Sequence, residues 1–177
     1  MKKITLKNGE SLLIRKVEKE DIDEVMQYMS LIGGESDNLT FGDGEWTVTY
    51  EQEINYIENV NTSNSIMLVA IIDGKIVGST SLSAGTRSRV KHTGEMGITV
   101  RKAYWNCGIG SLLLGELLNF AKETKIIRKV NLIVKKDNLN AIKLYEKYGF
   151  KKEGLVTREF LVNGKFYDSV HMGLEID

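Results

Sequence analysis

The residues best suited to chemistry are Asn106-Cys107-Gly108-Ile109-Gly110-Ser111, a glycine-bearing turn that runs straight into a leucine-rich helical pattern. The first turn of a helix leaves its backbone N–H groups without intrahelical acceptors, so such a turn suits an anion, a phosphate above all. Asn106 tolerates left-handed backbone almost as a glycine does. Gly108 and Gly110 let a ligand approach with no Cβ in the way. Two common phosphate loops do not fit. A Walker A loop ends in Gly-Lys-Ser/Thr, and here Gly110 is followed by Ser111 and Leu112. A dinucleotide fingerprint has a third glycine where Leu113 stands, and it follows the first strand of a βαβ unit rather than a fourth or fifth strand. What remains is a pyrophosphate cradle of another type, or a plain helix start with glycines in its turn.

The elements that must hold this turn are legible in the hydrophobic pattern. Residues 3–7 and 11–16 alternate apolar and polar around Asn8-Gly9, which predicts a hairpin. Residues 18–31 predict a helix with Ile22, Val25, Met26 and Met29 on one stripe. A long Gly-, Asp-, Asn- and Ser-rich loop follows to Trp46, of a length that is often functional. Residues 49–60 predict a second helix. Strands are expected over 65–72, 75–83 and 94–100, with turns at Asp73-Gly74 and around the basic segment 87–91. The glycine turn then opens a helix over 108–125. A buried strand at 129–134, a short helix at 141–148 and a hairpin of 150–162 with 165–176 around Asn163-Gly164 complete the chain. A strand–helix–strand unit inside an otherwise antiparallel run makes this an α+β chain. The expectation is one mixed, mostly antiparallel sheet of about seven strands, flanked by about four helices.

Composition narrows the function. The chain has 177 residues, which suits a single domain over 1–177. Lys and Arg number 24, as do Asp and Glu, so no basic excess points to nucleic acid. Cys107 is the one cysteine, and His92 and His171 are the two histidines, so neither a disulfide nor a metal cage is expected. Residues 1–16 contain no long apolar run, so no leader and no membrane segment are expected, and a cytoplasmic setting follows. Proline is absent, which leaves the turns to Gly, Asn and Asp.

Two further stretches decide between cradle and plain helix start. One is GEMGITVRKAYWNCGIG, the strand that feeds the turn, and the other is DNLNAIKLYEKYGF, residues 137–150. Together they resemble the GNAT superfamily of acetyl-coenzyme A-dependent N-acetyltransferases. That family has a strand ending in Val, then Arg/Gln-x-x-Gly-x-Gly/Ala opening a helix, and later Asn-x-x-Ala-x-x-x-Tyr-x-x-x-Gly-Phe. Here Val100, Gly108 and Gly110 fill the first pattern, and Asn138, Ala141, Tyr145, Gly149 and Phe150 fill the second. Two positions depart from it: Trp105 replaces the Arg or Gln, and Lys102 replaces a frequent proline. Arg101 and Lys102 are then candidates to supply charge to the phosphates.

The resemblance implies acetyl-CoA as co-substrate, no metal, and a V-shaped opening between strands 94–100 and 129–134. Its pantetheine arm would bond the unpaired backbone of Ile98, Thr99 and Val100 as an added strand does. Its pyrophosphate would sit on Asn106, Cys107, Gly108, Ile109, Gly110 and Ser111, and Asn138 would reach the arm. Asn138 has the competing reading of a helix N-cap. The chemistry implied is direct attack of a neutral amine on the thioester. A backbone N–H near Ile98 or Thr99 would hold the oxyanion, and Tyr145 would protonate the departing sulfur. Tyr148 is expected to point elsewhere. An alkylamine is protonated at neutral pH, so a base is needed, and Glu95 is the carboxylate placed for it; Gly97 shares its face of the strand. Cys107 has no recognisable base beside it.

The acceptor is expected to lie among the loop 33–46, the second helix and the C-terminal hairpin, near Glu35, Asp37, Asp43, Glu45, Glu51 and Glu53. That acidity suits a cationic amine on a small molecule, a protein N-terminus or a lysine. SDNLTFGDGEW is similar to the corresponding part of ribosomal-protein-type N-acetyltransferases. No nucleic-acid or membrane partner is expected, and the resemblance implies a homodimer. A CoA-binding regulator without turnover is the rival class; it would keep the cradle and lose the acid.

Overall fold

The alternation around Asn8-Gly9 forms its hairpin, with Gly9 at φ +88° in the turn, and β1 (Lys2–Thr5) pairs antiparallel with β2 (Ser11–Lys16). The computed structural model describes residues 1–61 and 64–177. The further strands are β3 (Ile66–Ile72), β4 (Lys75–Ala84), β5 (Thr93–Val100), β6 (Lys129–Lys135), β7 (Lys151–Val162) and β8 (Lys165–Glu175). They make one sheet in the order β1-β2-β3-β4-β5-β6-β8-β7, with eight strands where about seven were expected. Every neighbouring pair is antiparallel except β5 with β6. The helices are α1 (Ile22–Glu35), α2 (Tyr50–Val60), α3 (Ile109–Glu123) and α4 (Leu139–Lys147).

Two apolar layers sandwich the sheet. Leu113, Leu114 and Leu117 of α3 and Ile142 and Tyr145 of α4 pack on one face with Leu68, Leu82 and Met96. Val25, Tyr28 and Ile32 of α1 and Ile57 of α2 pack on the other with Met67, Val69 and Ile76. β3 feeds both layers, which is why its sequence is a continuous apolar run instead of an alternation. The buried stripe of α1 is Ile22, Val25, Tyr28 and Ile32, with Met26 and Met29 only partly covered. Among the described residues, no helix is long and apolar enough to cross a membrane.

The first helix runs through Gly33 and Gly34 to Glu35, where a loop was expected. The physical reason lies across the gap. A Cβ on Gly33 would collide with the carbonyl of Gly42, so this glycine lets the following loop close against the helix. At Gly34 the nearest group a Cβ would meet is the swinging side chain of Asp43, its carboxylate at 3.2 Å. Gly33→Ala is therefore expected to destabilise by about 1–3 kcal/mol as an overpacking change. Gly34→Ala is expected to be neutral or to gain up to about 1 kcal/mol of helix propensity. Thermal melting of the two variants checks this, at about 2–4 °C per kcal/mol for a chain of this size.

β5 and β6 pair only at Thr93↔Lys129, Gly94↔Val130 and Glu95↔Asn131. Beyond those pairs β5 stays with β4 as far as Val100, and β6 stays with β8 as far as Lys135, so the sheet opens between them. This is the V-shaped opening that the resemblance implies.

Candidate active site

The glycine turn caps α3 as expected. Asn106 (φ +63°) and Gly108 (φ +85°) are both left-handed, and Gly108 is the N-cap residue. The backbone N–H groups of Asn106, Gly108, Ile109, Gly110 and Ser111 have no protein acceptor among the described residues. They are the orphan donors of the helix start. Cys107 is the exception: its N–H donates to Tyr104 O at 3.4 Å, and the residue does not line the cleft. The Ser111 side chain is also committed, at 2.9 Å from the Tyr148 hydroxyl, which in turn donates to Ser111 O at 2.6 Å. Tyr148 therefore braces the first turn of α3 and is no idle neighbour of Tyr145. Tyr148→Phe is expected to cost about 1 kcal/mol for the lost hydrogen bonding and to weaken acetyl-CoA binding a few-fold. Calorimetric titration beside a melt checks both.

The exit of β5 is fixed by Glu35 at the end of α1. Its carboxylate accepts from Arg101 Nε at 2.6 Å and from the Lys102 backbone N–H at 2.7 Å. Arg101 is thus committed to Glu35 and is not a free charge for phosphates, and Glu35 is not a free acid for an acceptor. Both expectations are corrected by this one pair.

Backbone direction along β5 follows from the bonds to its neighbour. Arg101 N–H donates to Val77 O and Gly85 N–H donates to Thr93 O, so odd-numbered residues of β5 face β4. The backbones of Met96, Ile98 and Val100 face the opening. Thr99 does not: its backbone faces Ser79, and its Oγ1 is 2.7 Å from the buried hydroxyl of Tyr28. Trp105 Nε1 donates to Val100 O at 2.7 Å, so an unforeseen indole occupies that carbonyl and leaves the N–H. Ile98 keeps both groups. Asn138 is an N-cap, its side chain accepting from Ala141 N–H at 3.3 Å. Its side-chain NH2 remains for a ligand.

These parts line one cleft of about 1680 Å³ between the sheet, the loop before α2 and the C-terminal hairpin. Ile98, Thr99, Val100, Asn106, Gly108, Ile109, Gly110, Ser111 and Asn138 border it, as do Glu95 and Tyr145. The Tyr145 ring is buried, tilted against Phe150 at 5.8 Å between centroids. Its hydroxyl has no hydrogen-bond partner among the described residues. Burial pushes its pKa up to about 12, so it carries its proton at neutral pH. Glu95 is exposed on the α1/α2 side of the sheet, and next to it Gly97 leaves open space, with only Ser81 Oγ within reach at 3.9 Å.

The acceptor side differs from expectation in detail. Asp37, Asp43, Glu45 and Glu53 border the cleft; Glu51 does not. Glu45 accepts from Gly42 N–H at 2.7 Å and shapes its own loop, where Phe41 stacks on Trp46 at 5.0 Å. Glu159 was missed. A register shift between Val156 and Phe160, with Arg158 at φ +56°, turns it toward the cleft. There it takes hydrogen bonds from Ser169 and His171, and the Ser169 bond above all holds its carboxyl below the usual range. No bulge signal such as glycine marks this stretch. Among the described residues, every charged side chain that lines the cleft is acidic. No group of three His, Cys, Asp or Glu side chains among them is placed to hold a metal ion.

A sheet that opens beside its one parallel pair, above a helix start with free N–H groups, is the architecture that the resemblance to coenzyme A-dependent acyltransferases implies. Comparison with known proteins agrees. The acetyltransferase (GNAT) family model matches residues 35–150. The L-amino acid N-acetyltransferase AaaT of Escherichia coli K12 is 36% identical over 105 residues, 59% of this chain and 65% of that protein. A GNAT-family acetyltransferase from Streptococcus pneumoniae has the same fold at a TM-score of 0.90 and 35% identity, covering 94% of this chain and 99% of that one. The yncA protein of Salmonella typhimurium, solved with its cofactor acetyl-CoA, superposes at a TM-score of 0.82 and 19% identity, covering 94% of each chain. The chain belongs to the acetyltransferase (GNAT) family, as an N-acetyltransferase with acetyl-CoA as co-substrate.

Proposed function

We propose that the protein moves the acetyl group of acetyl-CoA onto a primary amine of a cationic acceptor, by direct attack on the thioester. The single observation that carries the acceptor class is the cleft's charge: its acids have no basic side chain among them in the described residues. An amino acid's α-carboxylate would meet no cationic partner there, although AaaT is named for L-amino acids.

The geometry supports definite roles. The N–H groups of Asn106, Gly108, Ile109, Gly110 and Ser111 take the pyrophosphate, with Cys107 left out of the set. The arm pairs with Ile98 and with Val100 N–H, and the Asn138 NH2 can reach it. Glu95, directly or through a water, takes a proton from the acceptor ammonium. The neutral amine adds to the thioester carbonyl, and Ile98 N–H is the donor that faces the resulting oxyanion. The C–S bond then breaks, and Tyr145 O–H hydrogen-bonds the leaving sulfur and passes it a proton. The proton shed by the new amide nitrogen restores the phenol through water, leaving N-acetylated product and free CoA thiol. Tyr145 holds its proton tightly, so it stabilises the developing thiolate mainly as a hydrogen-bond donor.

The test is chromatographic conversion of acetyl-CoA to CoA with a panel of polyamines, aminoglycosides, peptides and amino acids, each against a no-acceptor control. Chromatography avoids the free thiol of Cys107. Conversion driven by cationic amines is the expected outcome. Conversion driven only by amino acids overturns the acceptor class.

A further inference from the structure

Among the described residues, Glu53 is the one cleft acid that is both buried and unpaired. Its side chain projects from α2 and is 4% exposed, yet no hydrogen bond or ion pair reaches it among the described residues. The carboxylate is not sealed in: the only wholly buried side-chain polar atom without a partner among the described residues is Trp46 Nε1, so Glu53 opens to the cleft it lines. Tyr56, one turn along the same helix, lies near enough to feel its charge and also reaches Ser81 of β4. A carboxylate removed from water without a partner costs stability and is retained where a ligand supplies the missing cation.

We propose that Glu53 binds a second positive charge of the acceptor, separate from the amine that reacts beside Glu95 and Gly97, so that the enzyme's acceptor is a diamine or a longer polyamine. This rests on the proposed acetyl transfer to a cationic amine and names its substrate class. Glu95 on β5 and Glu53 on α2 then divide two tasks: Glu95 faces the nitrogen to be deprotonated, while Glu53 anchors the one that stays charged. Met67 and the floor left open at Gly97 line the same cleft and would take the aliphatic stem.

Burial alone holds the Glu53 carboxyl above its ordinary range. A carboxyl whose folded pKa is raised favours the folded state most at pH values below the unfolded pKa. That advantage fades as pH climbs through the folded pKa, so above it the ionised group is a burden on the empty protein. Glu53→Gln keeps the shape and removes the burden.

The experiment is calorimetric titration of the CoA-saturated protein and of E53Q with 1,3-diaminopropane, 1,4-diaminobutane, 1,5-diaminopentane and n-butylamine, beside melts at pH 8. The expected result is at least one diamine bound ten-fold or more tightly than butylamine, and an advantage below three-fold in E53Q. E53Q should melt no lower than the parent. Glu53→Met, apolar and of similar volume, should also lose the advantage and serves if the amide variant misfolds. Diamines and butylamine bound alike by the parent, an advantage that survives in E53Q, or an E53Q that melts lower would each overturn the proposal. Turnover separates the two readings. Diamine binding through Glu53 with no acetyl transfer upholds the anchor and sinks the reaction, whereas transfer to butylamine and diamines without a binding advantage does the reverse.

Discussion

Tyr145→Phe is expected to lower kcat by about 100-fold, the low end of what a positioned proton donor contributes, while acetyl-CoA binds within about twofold of the parent. The low end follows from the burial of the ring. A phenol with its pKa pushed up to about 12 gives up its proton reluctantly, so it acts on the sulfur more through the hydrogen bond than through full transfer. The same value fixes the pH behaviour. Tyr145 stays protonated from pH 6 to 10, so its loss should lower the rate by the same factor across that range and leave the shape of the profile unchanged. Binding survives because the ring's packing against Phe150 is retained and the hydroxyl has no partner among the described residues to strand. Stopped-assay kinetics of the variant at five or six pH values measures this. Full turnover in Tyr145→Phe would remove the acid from the scheme. A loss that fades at alkaline pH would mean that the hydroxyl ionises within the working range. A protein that binds acetyl-CoA but fails with every acceptor, Tyr145 intact, would be the regulator that the sequence leaves as the rival class.

What was legible in the sequence follows from the kind of signal involved. Strand and helix identities came from periodicity, and the cradle from glycine spacing, because φ and the absence of a Cβ are local properties. Asn106 is a residue type that tolerates left-handed backbone, and it adopts it at φ +63°. The end of α1 was misplaced because Gly33 looks like a loop residue, and its reason, the Gly42 carbonyl, lies outside any local window. The commitments of Glu35 to Arg101 and of Trp105 to Val100 were invisible for the same cause: each depends on which side chains the fold brings together. Thr99 is consecutive with Ile98 and Val100, but strand alternation sends its backbone the other way. Tyr28 and Ile32 are absent from the expected stripe of Ile22, Val25, Met26 and Met29, yet both are core, and the Tyr28 hydroxyl also reaches Thr99. Glu159 needed the register shift in β7, which no turn residue announces.

Gly110→Val is expected to weaken acetyl-CoA binding at least ten-fold with no loss of melting temperature. A Cβ built at Gly110 lies 3.7 Å from Leu144 Cδ2, 3.9 Å from Val100 Cγ2 and 4.0 Å from Ile98 Cδ1. Those are ordinary contacts for the Cβ, and Gly110 borders the open cleft, into which the two methyl groups of valine can turn. Valine also favours helix over glycine by a few tenths of a kcal/mol. The room it fills lies between β5 and α4, where an arm pairing with Ile98 must pass on its way to the cradle. The cost therefore falls on the ligand and not on the fold. Gly108→Ala should behave in the opposite way. Nothing lies within 4 Å of a Cβ there, but the residue holds φ +85°, so alanine would bear about 1–2 kcal/mol of left-handed strain. It should lower the melting temperature and leave the ligand's path open. Titration of both variants with acetyl-CoA, beside their melts, separates a steric cost from a conformational one. Parent-like affinity in Gly110→Val would mean that the arm does not run past α3 at this point, and the roles given to Ile98 and Val100 would fall with it.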